Sequence, residues 1–81
     1  MSEFDNISND IQGLFCEILG GRPDEFASSL RLVEDLAMDS LELLDLAMVL
    51  EDRYGVVLES RDVFQLKTIG DVASLVHTRI T

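Results

Sequence analysis

Apolar residues recur at every third or fourth position in three stretches of this 81-residue chain, a period that commits it to helices. Phe4, Ile7, Ile11, Leu14, Phe15, Ile18 and Leu19 form the first stripe, an amphipathic helix over roughly residues 4–19. Gly20-Gly21 stops it, with Pro23 just beyond. Leu43, Leu46, Ala47, Leu50 and Tyr54 form the second stripe, a helix over roughly residues 40–54. Asp39 suits its N-cap, Glu42 sits where a capping box needs an acid, and Gly55 suits the C′ position. Ile69, Val72, Ala73, Leu75, Val76 and Ile80 give the last helix, roughly 69–80, opened by a second capping box of Thr68 and Asp71. Ser60 can cap a short helix through about Leu66. The run Val56-Val57-Leu58 could be a strand but has no partner strand elsewhere. The expected fold is all-α: a four-helix bundle with a long first loop and a short third helix, one domain spanning residues 1–81.

The first connection, residues 20–38, is long for a compact domain. Phe26, Leu30, Leu32, Val33 and Leu36 are the candidates to pin it to the core. Phe4, Phe15 and Phe64 are also read as core.

Charge narrows the function. Six bases face sixteen acids, a net charge of -10. A phosphate backbone or an anionic lipid surface needs a basic footprint, so neither nucleic acid nor membrane is expected. A basic protein is the natural partner. One cysteine makes no internal disulfide, no apolar run is long enough to span a bilayer, and the start carries no signal-peptide pattern. A cytoplasmic monomer is the expectation. After forming its core, so small a domain keeps little concave surface for catalysis.

Seven acids and no base lie between Glu34 and Asp52. Such runs are usually solvated faces. Here, however, Leu41, Leu44 and Met48 lie off the core stripe beside Glu42 and Asp45. An apolar patch rimmed by one sign of charge is an interaction surface. Ser40 occupies the first helical position after the cap, so its hydroxyl projects beside free backbone N–H groups. A phosphate attached there meets the positive end of the helix dipole.

The decapeptide Val33-Glu34-Asp35-Leu36-Ala37-Met38-Asp39-Ser40-Leu41-Glu42 resembles the modification motif of acyl carrier proteins, centred on Asp39-Ser40-Leu41. The resemblance runs without gaps from about Leu32 through Leu46, then through Leu50–Gly55 and Leu66–Val72. The first helix agrees only in pattern. The resemblance implies that Ser40 accepts a 4′-phosphopantetheine arm from coenzyme A, flanked by Asp39 and Leu41. It implies acyl groups carried as thioesters on the arm's thiol, and a protein that is a substrate of enzymes rather than an enzyme. It implies docking acids at Asp39, Glu42, Asp45, Glu51 and Asp52, and docking apolar contacts at Leu41, Leu44 and Met48. The implied partners are a phosphopantetheinyl transferase, a ketosynthase, and acyltransferase or acyl-activating enzymes with basic patches.

The departures are specific. The family's common glycine two residues before the Asp is Ala37 here, which costs little unless that position needs a positive φ. Fatty-acid carriers usually have Ile-Pro-Asp before the short helix; Leu58-Glu59-Ser60 stands instead, and the helix that follows has fewer acids than usual. These changes point to a discrete carrier of a polyketide or other specialised pathway, with fatty-acid synthesis the alternative. Ala37-Met38-Asp39 lacks the Gly-Gly of peptidyl carriers. The alternatives are a peptidyl or aminoacyl carrier, an unmodified acidic helical adaptor and a small esterase. An esterase needs a base and an oxyanion hole. The only histidine, His77, lies in the last helix, and no G-x-S-x-G elbow exists. Cys16 reads as a half-buried, inert thiol, and no metal-ligand spacing appears.

Overall fold

A computed structural model describes residues 3–80. Four helices follow in order: α1, Glu3–Leu19; α2, Ser40–Tyr54; α3, Ser60–Phe64; and α4, Ile69–Ile80. The boundaries of α1, α2 and α4 fall within a residue of those expected from the apolar period. Helix α1 packs chiefly on α4, and α2 on α3 and α4. The core gathers Ile7, Ile11, Leu14 and Phe15 of α1, Leu43, Leu46, Ala47 and Leu50 of α2, Val63 of α3, and Ile69, Val72, Ala73 and Val76 of α4. Burying a side chain of the size of Phe15 or Leu50 contributes about 1.5–3 kcal/mol, so the interleaved stripes are the main cohesive force.

The third helix departs from the sequence expectation. It ends at Phe64 rather than Leu66, and its N-cap is Glu59 rather than Ser60. The Asp62 carboxylate accepts the Glu59 N–H at 3.1 Å, which moves the cap one residue back. Two of the three phenylalanines read as core are also at the surface. Phe15 is fully buried, but Phe4 lies edge-on to His77 at the surface and Phe64 is 52% exposed. A five-residue helix buries one face only, and Val63 takes it.

The long first connection is ordered by two sets of contacts. One short 3-10 turn, Pro23–Glu25, brings Phe26 back under α1. There it stacks on Phe15 at 5.9 Å, while its carbonyl accepts the Gln12 side-chain amide at 3.0 Å. Residues 28–32 then pair with the α3–α4 junction. Leu32 N–H donates to Lys67 O at 2.8 Å, Ile69 N–H to Leu30 O at 3.0 Å and Gly70 N–H to Ser28 O at 2.9 Å, with an antiparallel bridge between Arg31 and Thr68. Leu32 is buried, and Leu30 and Leu36 pack partly on the core. Val33, expected among the pinning residues, is 53% exposed. Met38, which no periodicity singled out, is almost fully buried. Met38 and Leu43 stand at the N′ and N4 positions of α2, the pair that a hydrophobic staple joins.

Polar ties lock the helices at their ends. The Arg53 guanidinium donates two hydrogen bonds to Asp10 on α1, at 2.9 and 2.7 Å, and the Tyr54 hydroxyl donates to the same carboxylate. Arg53 chiefly, helped by Tyr54, holds the Asp10 carboxyl below the usual carboxylate range against the opposing effect of burial. Burial first, then the bond to Asp10, pushes Tyr54 up to about 12. At the other end Arg79 on α4 meets Asp62 on α3 at 2.9 Å. Helix α4 starts on the expected reciprocal cap: Asp71 N–H donates to Thr68 Oγ1, and Thr68 N–H to the Asp71 carboxylate, both at 3.1 Å.

Candidate functional site

Ser40 is exposed and is the first residue of α2. Asp39, at φ -95° and ψ -179°, is the extended residue that admits the chain to the helix. Its carboxylate accepts the Glu42 N–H at 2.9 Å, and the Glu42 carboxylate accepts the Asp39 N–H at 3.2 Å. This reciprocal box fixes the first turn on both sides of Ser40. Among the described residues no hydrogen bond engages the Ser40 hydroxyl or the backbone N–H groups of Ser40 and Leu41. An accessible hydroxyl beside two open N–H donors at a helix N-terminus fits a phosphodiester.

The approach to Ser40 is a tight, self-bonded turn. Asp35 and Leu36 N–H groups both donate to Arg31 O, Ala37 N–H to Val33 O, and Met38 N–H to Leu32 O. The turn ends with Ala37 at φ 56°, the one non-glycine residue among those described with a positive φ. The replacement of the usual glycine is therefore a strained substitution, because a side chain in the left-handed region crowds the following carbonyl.

Along α2 the expected docking residues divide. Leu41 and Met48 are 71% and 66% exposed. Glu42, Asp45 and Asp52 are also exposed. Leu44 and Glu51 are not: both are half-buried. Leu44 sits at the border of the stripe, because its neighbours Leu43 and Ala47 widen the buried face. Glu51 has an internal task. Its Oε2 accepts the Leu58 N–H at 2.8 Å, tying the α2–α3 connection to the last turns of α2. Gly55, at φ 65°, ends the helix in the left-handed cap, and its N–H donates to Glu51 O at 2.9 Å. Val57, in the same connection, is 79% exposed. The sequence offers no sign of this exposure: Val57 reads as part of a possible strand and Phe64 as core, each beside one buried neighbour, Val56 and Val63.

Other reactive groups stand apart from Ser40. His77 is half-buried in α4 against Phe4. Cys16 is half-buried in α1, and burial followed by Glu25, Asp24 and Glu17 raises its thiol pKa, which keeps it protonated and unreactive. Among the described residues no group of three or more His, Cys, Asp or Glu side chains is placed to hold a metal ion. No described helix is long and apolar enough to cross a membrane.

Comparison with known proteins bears directly on this arrangement. The family described as "Phosphopantetheine attachment site" matches residues 9–76, which include the whole turn, Ser40 and α2. An acyl carrier protein of Exiguobacterium sibiricum is 37% identical over 71 residues, covering 88% of this chain and 90% of that protein. One of Chlamydia muridarum is 32% identical over 74 residues, covering 91% and 96%. The chain belongs to the acyl carrier protein family. A solved structure, the acyl carrier protein of Thermotoga maritima, superposes with a TM-score of 0.79 at 19% identity, covering 96% of this chain and 91% of that one. At that identity the likeness concerns the fold alone. Membership makes this protein a carrier of covalently bound 4′-phosphopantetheine, acted on by a phosphopantetheinyl transferase and by biosynthetic enzymes, and not itself an enzyme.

Proposed function

We propose that Ser40 is the attachment residue for the arm and that the exposed face of α2 is what partner enzymes read. The observation that carries this reading is the exposed, unengaged Ser40 hydroxyl at the start of a capped helix. When bound, the arm supplies a terminal thiol that holds acyl groups as thioesters. The chain's own residues present it. Asp39 and Glu42 hold the first turn, Leu41 and Met48 offer apolar contact, and Asp45 and Asp52 offer charge. Charge speeds encounter with a basic patch, and the apolar centre governs how long the complex lasts. The partners of this reading are the transferase, a ketosynthase and acyl-loading enzymes. The named relatives are called acyl carrier proteins without a pathway. The proline-free approach to α3, with Asp62 tied to Arg79 and Phe64 exposed, supports a specialised partner set.

The test is intact mass after incubation with coenzyme A, magnesium and a phosphopantetheinyl transferase. Wild-type protein gains the mass of one phosphopantetheine, and Ser40→Ala gains none. Modification of Ser40→Ala, or none of the wild type by a transferase active on another carrier, refutes the assignment.

A further inference from the structure

The turn before Ser40 holds a contradiction that one side chain resolves. Ala37 sits at φ 56°, a conformation that an L-residue with a Cβ leaves unless its surroundings enforce it. Two buried anchors, Leu32 and Met38, bracket the turn and are joined by the Met38 N–H bond to Leu32 O at 3.0 Å. Between them the chain must double back within Val33 to Ala37, all exposed except the half-buried Leu36. Arg31 and Asp35 close that loop. The Asp35 carboxylate accepts the Arg31 backbone N–H at 2.8 Å and its guanidinium at 3.3 and 3.4 Å, while Arg31 O accepts the Asp35 and Leu36 N–H groups at 3.0 and 3.1 Å. The two residues grip each other through both main chain and side chain. Arg31 is itself anchored by its bridge to Thr68 at the α3–α4 junction.

The geometry points to Asp35 as a positioning residue for Ser40: by clasping Arg31 it holds the 31–38 turn in its strained form and so sets where α2 and its first hydroxyl begin. The inference rests on the assignment of Ser40 as the attachment residue. Three links carry it. The clasp closes the turn, the closed turn keeps Ala37 left-handed, and Ala37 and Met38 lead directly into the Asp39 cap. The backbone N–H of Arg31 first, then its guanidinium, holds the Asp35 carboxyl below the usual carboxylate range, so the clasp is ionised at neutral pH. The docking residues beyond the first turn of α2, Asp45, Met48 and Asp52, lie downstream of the cap and make no contact with the clasp. Loosening the turn therefore leaves the protein able to dock while presenting Ser40 poorly.

A carboxylate near the site that acted by attracting a basic partner would give a different kinetic pattern, and kinetics separate the two roles. Transfer of the arm from coenzyme A is measured with the carrier as the varied substrate, for wild type, Asp35→Ala, Asp35→Asn, Ala37→Gly and the Asp35→Ala/Ala37→Gly double variant. Thermal melts check that each is folded at the assay temperature. A positioning role lowers kcat of Asp35→Ala about tenfold with KM little changed, since a shift on the order of 1 Å at a reacting group costs up to ~100-fold. Asp35→Asn, which keeps an oxygen for the Arg31 N–H, retains most of the wild-type kcat. The double variant recovers kcat, because glycine adopts the left-handed turn without enforcement. Should Asp35→Ala be unfolded, Arg31→Gln, which removes the guanidinium half of the clasp and keeps the shorter backbone bond, takes its place with a smaller loss of kcat, again at little-changed KM, and the same rescue by Ala37→Gly. Wild-type kcat in Asp35→Ala overturns the proposal. So does a loss in Asp35→Asn as large as in Asp35→Ala and seen in KM, which marks a docking charge, and so does a failure of Ala37→Gly to rescue. Modification of the Ser40→Ala control would refute the attachment assignment instead.

Discussion

Replacing an alanine with glycine usually weakens a protein, and at position 37 the opposite is expected. Ala37 stands at φ 56° on an exposed turn. Holding an L-residue in that region costs roughly 1–2 kcal/mol relative to glycine, because Cβ approaches the following carbonyl. Glycine at the same site loses roughly 0.5–1 kcal/mol more backbone entropy on folding. The difference, about 0–1.5 kcal/mol with a centre near 0.75, leaves Ala37→Gly the more stable, a rise in Tm of about 3–6 °C at the central value for a domain of this size. The matched control is Gly13→Ala. Gly13 lies inside α1, where an added Cβ meets no atom within 4 Å, so this exchange also stabilises, by up to about 1 kcal/mol through helix propensity. The same two residues are thus exchanged in opposite directions, and both variants gain. Urea titration with circular dichroism reads the result as a raised midpoint at unchanged m. A lower midpoint for Ala37→Gly alongside a higher one for Gly13→Ala would mean the turn at 37 carries no strain, and the argument built on it would fall.

The divided face of α2 yields a contrast: Asp45→Lys should leave the melting temperature near wild type while slowing association with a ketosynthase or transferase in stopped flow. Glu51→Ala should lose about 1 kcal/mol of stability, because the Leu58 N–H loses its acceptor; equal melts for the two variants would contradict the burial described for Glu51. Tyr54, the only tyrosine, should titrate near 12 by ultraviolet absorbance, and Asp10→Asn should bring the midpoint back towards 10. Its folded pKa is raised, so its contribution to stability is complete below about pH 10 and is lost as pH rises through about 12; a midpoint near 10 in the folded protein would contradict the Asp10 bond.

What the residues announced in advance was local. Both reciprocal caps, Asp39 with Glu42 and Thr68 with Asp71, join groups three positions apart, and both formed. The helix stripes are equally local, since period alone defines them. What stayed hidden depends on distant partners. The Asp10–Arg53 pair spans 43 residues, and Glu51 bonds Leu58 seven residues on, across a helix end where the helical period no longer applies. Glu51 therefore read as one more solvent-facing acid. The aromatic rings misled for a related reason: hydrophobicity favours burial, but α3 has too few residues to turn both Val63 and Phe64 inward. Ala37 was legible only as a question, because a residue's φ follows from the turn that encloses it.

The placement of the six bases shapes the field around this protein. Arg22, Arg31, Arg53, Arg61 and Arg79 each lie within 4.0 Å of a carboxylate, leaving Lys67 outside the ion pairs of the described residues. Arg53 is the single base of α2, and it leans away to Asp10 and Glu17 on α1. Helix α2 thus contains four acids whose nearest cation along the chain is committed elsewhere. A pairing of opposite charges fades quickly with distance, whereas an excess of one sign is felt to about the Debye length, ~8 Å at physiological salt. By withdrawing its own counter-charge, α2 projects a one-signed field past its side chains, so that a basic surface is turned towards it before any atom touches.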